Sequence, residues 1–92
     1  MIREGMQTPW GKADHVQELR PGVYSVSTPS HGGVKLTLDT NRLMPNHLRL
    51  AGGWYEEDCE WARVAVQWPE VFPDVSQNDI LDCLRFYSPD AY

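Results

Sequence analysis

Apolar and polar residues alternate strictly over residues 34–39, the clearest periodic segment of the chain. A period of two predicts a β-strand with one face on the core and the other in water. The side chains expected on the core face are Val34, Leu36 and Leu38. Residues 23–28 are rich in β-branched and aromatic side chains, so they also favour a strand.

A weaker strand pattern covers residues 15–19, and the segment 20–23 that follows reads Arg-Pro-Gly-Val. Proline fixes φ and glycine accepts positive φ, as a type II turn requires. Residues 28–33, rich in Pro, Ser and Gly, form a second predicted turn. Three consecutive strands joined by short turns predict an antiparallel meander.

Residues 52–72 contain three of the four tryptophans, and four acidic residues lie within five positions of this stretch. In a helix, the acidic residues would occupy the opening turns, where the helix dipole favours negative charge. An apolar stripe with helical spacing would follow, formed by Trp61, Val64, Ala65 and Trp68. In a strand, residues 62–68 would alternate instead. Length and the acidic start favour the helix, which ends before Pro69.

A final helix is expected to begin at Ser76, with Asp79 three residues later in a variant of the capping box. Its predicted buried stripe consists of Ile80, Cys83, Leu84 and Tyr87. Residues 41–50 form a connection with a short helix predicted after Pro45. Together these elements predict an α+β domain in which a three-stranded antiparallel sheet packs against two or three short helices.

Ninety-two residues are enough for one domain, 1–92, with one core. Residues 1–12 are predicted to be an irregular arm whose Trp10 anchors on the core. No apolar run approaches the roughly 18 residues of a membrane span, and the N-terminus is too polar for a signal peptide, so we expect a cytoplasmic protein. Cys59 and Cys83 lie outside any Cys-x-x-Cys pair and are predicted to be buried thiols.

Charge is divided unevenly along the chain. The net charge is −5, but residues 1–49 carry +2 and residues 50–92 carry −7. This asymmetry disfavours simple duplex DNA binding, which needs a broad basic footprint, and suits a surface that docks against a basic partner. The carboxylates expected on this partner-binding face are Glu56, Glu57, Asp58, Glu60, Asp79 and Asp82.

The basic half of the chain suggests a second contact. Its candidate side chains for nucleic-acid or phosphate contact are Lys12, Arg20, His31, Lys35, Arg42 and Arg49. The glycine-rich segment 30–33 can present backbone N–H groups to an anion. It lacks the Gly-Lys-Ser/Thr ending of a nucleotide-hydrolase loop. Surface bases that are merely solvated remain the alternative.

His31 is the main candidate for chemistry, because the glycines after it leave its imidazole uncrowded in a turn. A nucleophile such as Ser30 needs a base and an orienting third group, and no Gly-x-Ser-x-Gly motif supplies them. No pair of histidines or Glu-x-x-His pair has metal-ligand spacing, so neither a metal nor a cofactor is predicted. A small hydrolase-like enzyme that uses His31 with Glu56, Glu57 or Asp58 is the alternative.

Three segments carry a family resemblance: Thr-Pro-Trp-Gly at 8–11, Ser-His-Gly-Gly at 30–33 and Gly-Gly-Trp-Tyr-Glu-Glu-Asp-Cys-Glu-Trp-Ala at 52–62. In this order they resemble a small uncharacterised domain family carried by proteobacterial chromosomes, plasmids and phages. The resemblance covers about residues 8–72. The family has no assigned activity, so the resemblance implies no catalytic roles.

An acidic single-domain protein from a mobile-element family is similar in profile to phage inhibitors of host defence, anti-CRISPR proteins above all. By this analogy the chain would be a monomer that binds a Cas ribonucleoprotein surveillance complex in the bacterial cytoplasm. It would block nucleic-acid handling by occupancy, with the acidic half on basic Cas subunits and the basic half near guide RNA. A regulatory binding module of a plasmid or phage operon is a further alternative.

Overall fold

The chain begins with a small hairpin. A computed structural model describes residues 2–90, so Met1 of the predicted arm and the last two residues of the predicted domain lie outside it. Strands β1 (Gln7–Thr8) and β2 (Gly11–Lys12) pair antiparallel, and the Gly5 N–H donates to the Ala13 carbonyl at 2.7 Å. The expectation of an irregular arm is therefore wrong here, because backbone pairing without any apolar period orders the segment.

The main sheet has four strands within residues 2–90, and each strand pairs antiparallel with the next in sequence. The strands are β3 (His15–Arg20), β4 (Val23–Ser27), β5 (Gly32–Leu36) and β6 (Trp54–Glu56). The predicted antiparallel meander corresponds to the first three. The expected three-stranded sheet is incomplete, because the fourth strand comes from the stretch predicted to be helical.

Strand β5 begins and ends earlier than the alternation predicts. Thr37 is the N-cap of helix α1 (Leu38–Asn41), and its side-chain oxygen accepts a hydrogen bond from the Thr40 N–H at 3.4 Å. A capping threonine satisfies a free N–H of the first turn and so starts a helix where the strand would have continued. Leu38 is consequently 70% exposed, and its predicted place in the core is wrong.

Residues 42–50 form turns rather than the short helix predicted after Pro45. The Arg49 guanidinium donates to the carbonyls of Asn41 at 3.0 Å, Arg42 at 3.0 Å and Met44 at 2.6 Å, and also to Asn46 Oδ1 at 2.9 Å. The three carbonyls all precede Pro45, so these bonds fold the segment before the proline back onto Arg49. One arginine therefore holds the connection in its turn conformation.

The central stretch divides into a strand and a helix. Helix α2 (Trp61–Gln67) begins at Trp61, after a turn, so the prediction that the acidic residues open it is wrong. The predicted apolar stripe is confirmed, since Val64, Ala65 and Trp68 are buried and Trp61 is half-buried against the core. Pairing of β6 with β5 overrides the helical preference of the acidic residues, because packing outweighs intrinsic propensity.

Helix α3 (Gln77–Tyr87) completes the fold after a short 3-10 turn at Pro69–Val71. Its predicted cap is confirmed, since Ser76 Oγ accepts from the Asp79 N–H at 3.1 Å. Ile80 and Leu84 are buried as expected, whereas Tyr87 is 53% exposed. Helix α2 packs against α3 and the sheet, which gives two layers. Core residues from both layers include Val23, Val34, Leu36, Tyr55, Val64, Ile80 and Leu84.

Candidate functional site

Pairing of β5 with β6 brings the histidine turn and the acidic turn together. Gly33 lies opposite Glu56 in the register, and the Glu57 N–H donates to the Gly32 carbonyl at 3.0 Å. The acidic turn, defined as residues 56–60, therefore lies beside the turn that carries His31. Two segments about 25 residues apart in sequence form one end of the sheet.

The turn that carries His31 is fixed by Thr28. The Thr28 N–H donates to the His31 carbonyl at 2.7 Å, and the Thr28 hydroxyl accepts from the His31 N–H at 3.1 Å. Thr28 is buried, whereas His31 is exposed. The backbone is thus held rigidly while the imidazole, which has no hydrogen-bond partner in the described part of the chain, faces outward.

His31, Glu56 and Asp58 each contribute one ligand atom to a cluster in which all three atoms lie within 4.8 Å of one another. A histidine nitrogen and two carboxylate oxygens form a donor set that can hold a divalent cation. One Glu56 oxygen, Oε1, also accepts the Asp58 N–H at 2.6 Å. No sequence motif indicates this cluster, because it depends on the register between β5 and β6.

The four carboxylates of the acidic turn have two different roles. Glu56 Oε1 accepts the Asp58 N–H, and Glu60 Oε1 accepts the Glu56 N–H at 3.1 Å, so these two side chains shape the turn. Glu57 and Asp58 are exposed, and neither side chain makes a hydrogen bond or ion pair among residues 2–90. Their negative charges are therefore available to a partner.

The two faces of the sheet receive alternate residues of the acidic turn. Tyr55 points into the core between sheet and helices, so alternation places Glu57 on the helix side and Glu56 on the opposite side. A cavity of about 270 Å³ opens on the helix side. Its lining includes Ser25, Ser27, Val34, Glu57, Trp61 and Phe72.

The opposite face carries a stack of aromatic and basic side chains. The Trp10 ring meets the Trp54 ring edge to face at 5.4 Å, and Lys35 Nζ lies 4.6 Å from the Trp54 centroid. The Lys35 ammonium also donates to the Gly52 carbonyl. Desolvation lowers the pKa of Lys35. Lys35 therefore packs against Trp54 on this outer face of the sheet. Trp10 anchors on the same face, as expected.

The other predicted phosphate contacts lie in separate parts of the fold. Arg20 pairs with Glu70 at 3.0 Å and lies 5.0 Å from the Trp68 ring centroid, while Arg42 pairs with Asp39 at 3.5 Å. The Arg49 guanidinium is committed to the connection over 41–50, as described above. Lys12 is exposed on β2. His31 lies with the acidic cluster instead of with these bases.

The remaining predicted acidic residues lie on helix α3. Asp79 and Asp82 are both exposed, and Asp82 accepts from Arg85 at 2.7 Å. The two cysteines are free and half-buried rather than fully buried. Desolvation raises the pKa of both thiols, and the neighbouring carboxylates raise that of Cys59 further, so the reactive thiolate is disfavoured at neutral pH.

None of the helices described within residues 2–90 combines the length and apolar character needed to cross a bilayer. Neither a curated protein nor a solved structure matches the chain. A family described as a domain of unknown function, DUF7007, matches residues 3–92. This match spans nearly the whole sequence and agrees with the resemblance to an uncharacterised domain family. The chain therefore belongs to the DUF7007 family of domains of unknown function.

Proposed function

We propose that this domain acts by occupancy: it docks its acidic turn onto a basic surface of a larger partner and makes or breaks no covalent bond. The observation that carries the proposal is the pair of exposed carboxylates of Glu57 and Asp58, which have no intramolecular partner among residues 2–90. Complementary charge of this kind steers encounter with a basic partner and fixes the register of docking.

Preorganisation of the turn supports the same function. Glu56 and Glu60 bond backbone N–H groups inside the turn, and the Glu57 N–H is tied to β5. The free carboxylates are therefore presented by ordered backbone, which lowers the entropy lost on binding. Asp79 and Asp82 extend the acidic surface of the second half of the chain as further candidates for partner contact.

The proposed partner class rests on an analogy with phage inhibitors of host defence, since the chain resembles a domain family carried by chromosomes, plasmids and phages. A phage- or plasmid-borne inhibitor of host defence would meet a Cas ribonucleoprotein complex in the bacterial cytoplasm, and its acidic turn would compete with nucleic acid for basic Cas subunits. Lys12 and His31 are the exposed candidates for additional guide-RNA contact. Lys35, Arg20, Arg42 and Arg49 belong to the same proposed set, although each already has an intramolecular partner.

Capture of the partner from a host lysate tests this function. Tagged protein is incubated with lysate, and the retained material is analysed by mass spectrometry and on an RNA gel. We expect a complex that contains basic Cas subunits and guide RNA, retained in fixed stoichiometry and with its components intact. Retention of no basic protein by the wild-type chain, under conditions in which it is folded, would contradict the proposal.

The cluster of His31, Glu56 and Asp58 favours a second candidate function, a small hydrolase-like enzyme. Its ligand atoms lie within 4.8 Å of one another, which is close enough for an imidazole and a carboxylate to act on one substrate group. Stoichiometry separates the two candidates. Inactivation of many target molecules by each copy of this protein, abolished in His31→Ala with binding preserved, would support the enzyme, whereas one-to-one inhibition supports occupancy.

A further inference from the structure

The cavity on the helix side of the acidic turn contains three polar groups without protein partners. The hydroxyls of Ser25 and Ser27 make no hydrogen bond to any residue between 2 and 90, and the Glu57 carboxylate is equally unpartnered over that range. Both serines are half-buried on β4. Unpaired polar groups that line a largely apolar cavity are typical of a ligand-binding pocket.

The remaining walls of the cavity are apolar and aromatic. Trp61 and Phe72 meet at 5.4 Å with an interplanar angle of 60°, and Val34 and Val75 also line the space. Such walls suit an unbranched aliphatic chain. The volume of about 270 Å³ lies just below the range of roughly 300 to 1,000 Å³ found for sites of drug-sized ligands, so a single side chain fits it better.

The negative charge of the cavity favours a cationic group at the end of such an aliphatic chain. Glu57 is the one acidic residue among those that line the cavity, and no ion pair described within residues 2–90 neutralises it. An anionic end group would be repelled here. A cation near Glu57 gains both the charge attraction and the contact with the aromatic ring of Trp61.

We infer that the cavity receives a lysine side chain of the partner, an inference that rests on the proposed docking function and names its anchor. The four-carbon stem packs against Val34, Phe72 and Trp61, and the ammonium donates to the Glu57 carboxylate and the serine hydroxyls. An ammonium has three rotatable donors, which match one carboxylate and two hydroxyls. The flat guanidinium of arginine prefers paired acceptors in one plane, so it fits less well.

Titration with n-butylammonium chloride, which reproduces the lysine stem and head, tests this assignment without any partner. The reporters are the backbone amides of Ser27 and Glu57 and the indole N–H of Trp61, followed by two-dimensional NMR on the full chain. We expect saturable shifts of these signals with a dissociation constant in the millimolar range. The neutral analogue 1-butanol and n-butylguanidinium chloride should each bind at least about threefold more weakly.

Glu57→Gln should weaken butylammonium binding at least about tenfold, because it removes the charge while keeping the shape of the side chain. Asp39→Asn, an equal charge change at an exposed site on α1, is the matched control and should leave the dissociation constant unchanged. The NMR spectrum of each variant verifies that it is folded.

Three results would overturn the inference: no saturable shift at the pocket, equal binding of butanol, or wild-type affinity in Glu57→Gln. Tighter binding of butylguanidinium would overturn the choice of lysine. Each of these failures is separate from failure of the proposed function, because the titration contains no partner and partner capture contains no small amine.

Discussion

The Trp10 ring lies edge-on against the Trp54 ring, with centroids 5.4 Å apart and an interplanar angle of 88°. Trp10 belongs to the N-terminal hairpin and Trp54 opens the last strand of the main sheet. A Cβ added at Gly33 would lie only 2.6 Å from the Trp10 ring, so the indole covers this glycine directly. The three segments that carry the family resemblance therefore meet at one place on the sheet.

Trp10→Ala should destabilise the fold by about 2 to 3 kcal/mol, because it removes an aromatic pair and half-buried apolar area. Urea unfolding followed by circular dichroism measures the loss. Trp10→Phe, which keeps a ring at the contact, should recover about half of it. A loss below about 0.5 kcal/mol in Trp10→Ala would mean that the hairpin does not hold the outer face of the sheet.

Gly33→Ala should destabilise the protein by about 2 kcal/mol or more, because a Cβ there would lie 2.3 Å from the Tyr55 carbonyl oxygen as well as against Trp10. The matched control is Gly5→Ala, where a Cβ would meet nothing within 4 Å and only the backbone angle φ of +89° opposes the change. We expect the control to cost about 1 kcal/mol, the strain of a side chain at positive φ. Thermal unfolding compares the two, and an equal cost would contradict the close packing at Gly33.

Arg49→Lys should lower the free energy of unfolding by about 2 kcal/mol, because an ammonium cannot reach the three carbonyls and one amide that the guanidinium bonds. Arg42→Lys is the control, since its exposed pair with Asp39 contributes at most about 0.5 kcal/mol. Equal stability of the two variants in urea unfolding would mean that the hydrogen bonds of Arg49 do not stabilise the fold.

The phenol of Tyr55 links the sheet to the connection over 41–50. Its hydroxyl donates to Asn41 Oδ1 at 2.6 Å and accepts the Leu50 N–H at 3.0 Å. Tyr55→Phe should cost about 1 to 3 kcal/mol at neutral pH, since both groups lose their partner in a buried place. Unfolding in urea at pH 7 measures this cost, and an unchanged midpoint would contradict the network.

The pH dependence of Tyr55 has a defined sign. Desolvation raises the pKa of Tyr55 above the ordinary value of 10.0, and the Leu50 bond and nearby arginines oppose the shift only in part. As the pH passes 10.0, the unfolded chain loses this proton first, so the folded state binds more protons and its stability falls. Stability measured from pH 8 upward should fall more steeply in wild type than in Tyr55→Phe; identical slopes would contradict a raised pKa.

Local patterns predicted the parts of the fold that depend on neighbouring residues. The meander follows from alternation and the Pro-Gly turn, and the start of α3 follows from the cap at Ser76. Strand β6 was missed because three residues are too few to show a period, and because the glutamates after Tyr55 favour a helix start. Only pairing with β5, about 20 residues earlier in sequence, makes this segment a strand.

In the candidate site, too, the residue types could be read from the sequence but their arrangement depends on the pairing of distant segments. The sequence identified the acidic residues and His31, but it could not show that the register of Gly33 with Glu56 brings His31 to Asp58. Nor could the sequence show that Glu56 and Glu57 lie on opposite faces of the sheet, since this depends on the segment being a strand. The intramolecular bonds of Arg49 were equally hidden, because they depend on the path of the turns over residues 42–50.

We propose that unpartnered charge in the acidic turn drives docking onto a basic partner. The variant Glu57→Lys/Asp58→Lys reverses the two free carboxylates, and Asp39→Lys/Asp90→Lys makes an equal change of net charge outside the turn. Circular dichroism verifies that both remain folded. The affinity for the captured partner is then measured for each over a range of salt concentrations.

We expect reversal within the turn to weaken binding at least about tenfold, equivalent to about 1.4 kcal/mol, and to reduce its salt dependence, while the control binds like wild type. Wild-type affinity and salt dependence in Glu57→Lys/Asp58→Lys, with the fold intact, would mean that the acidic turn does not drive docking.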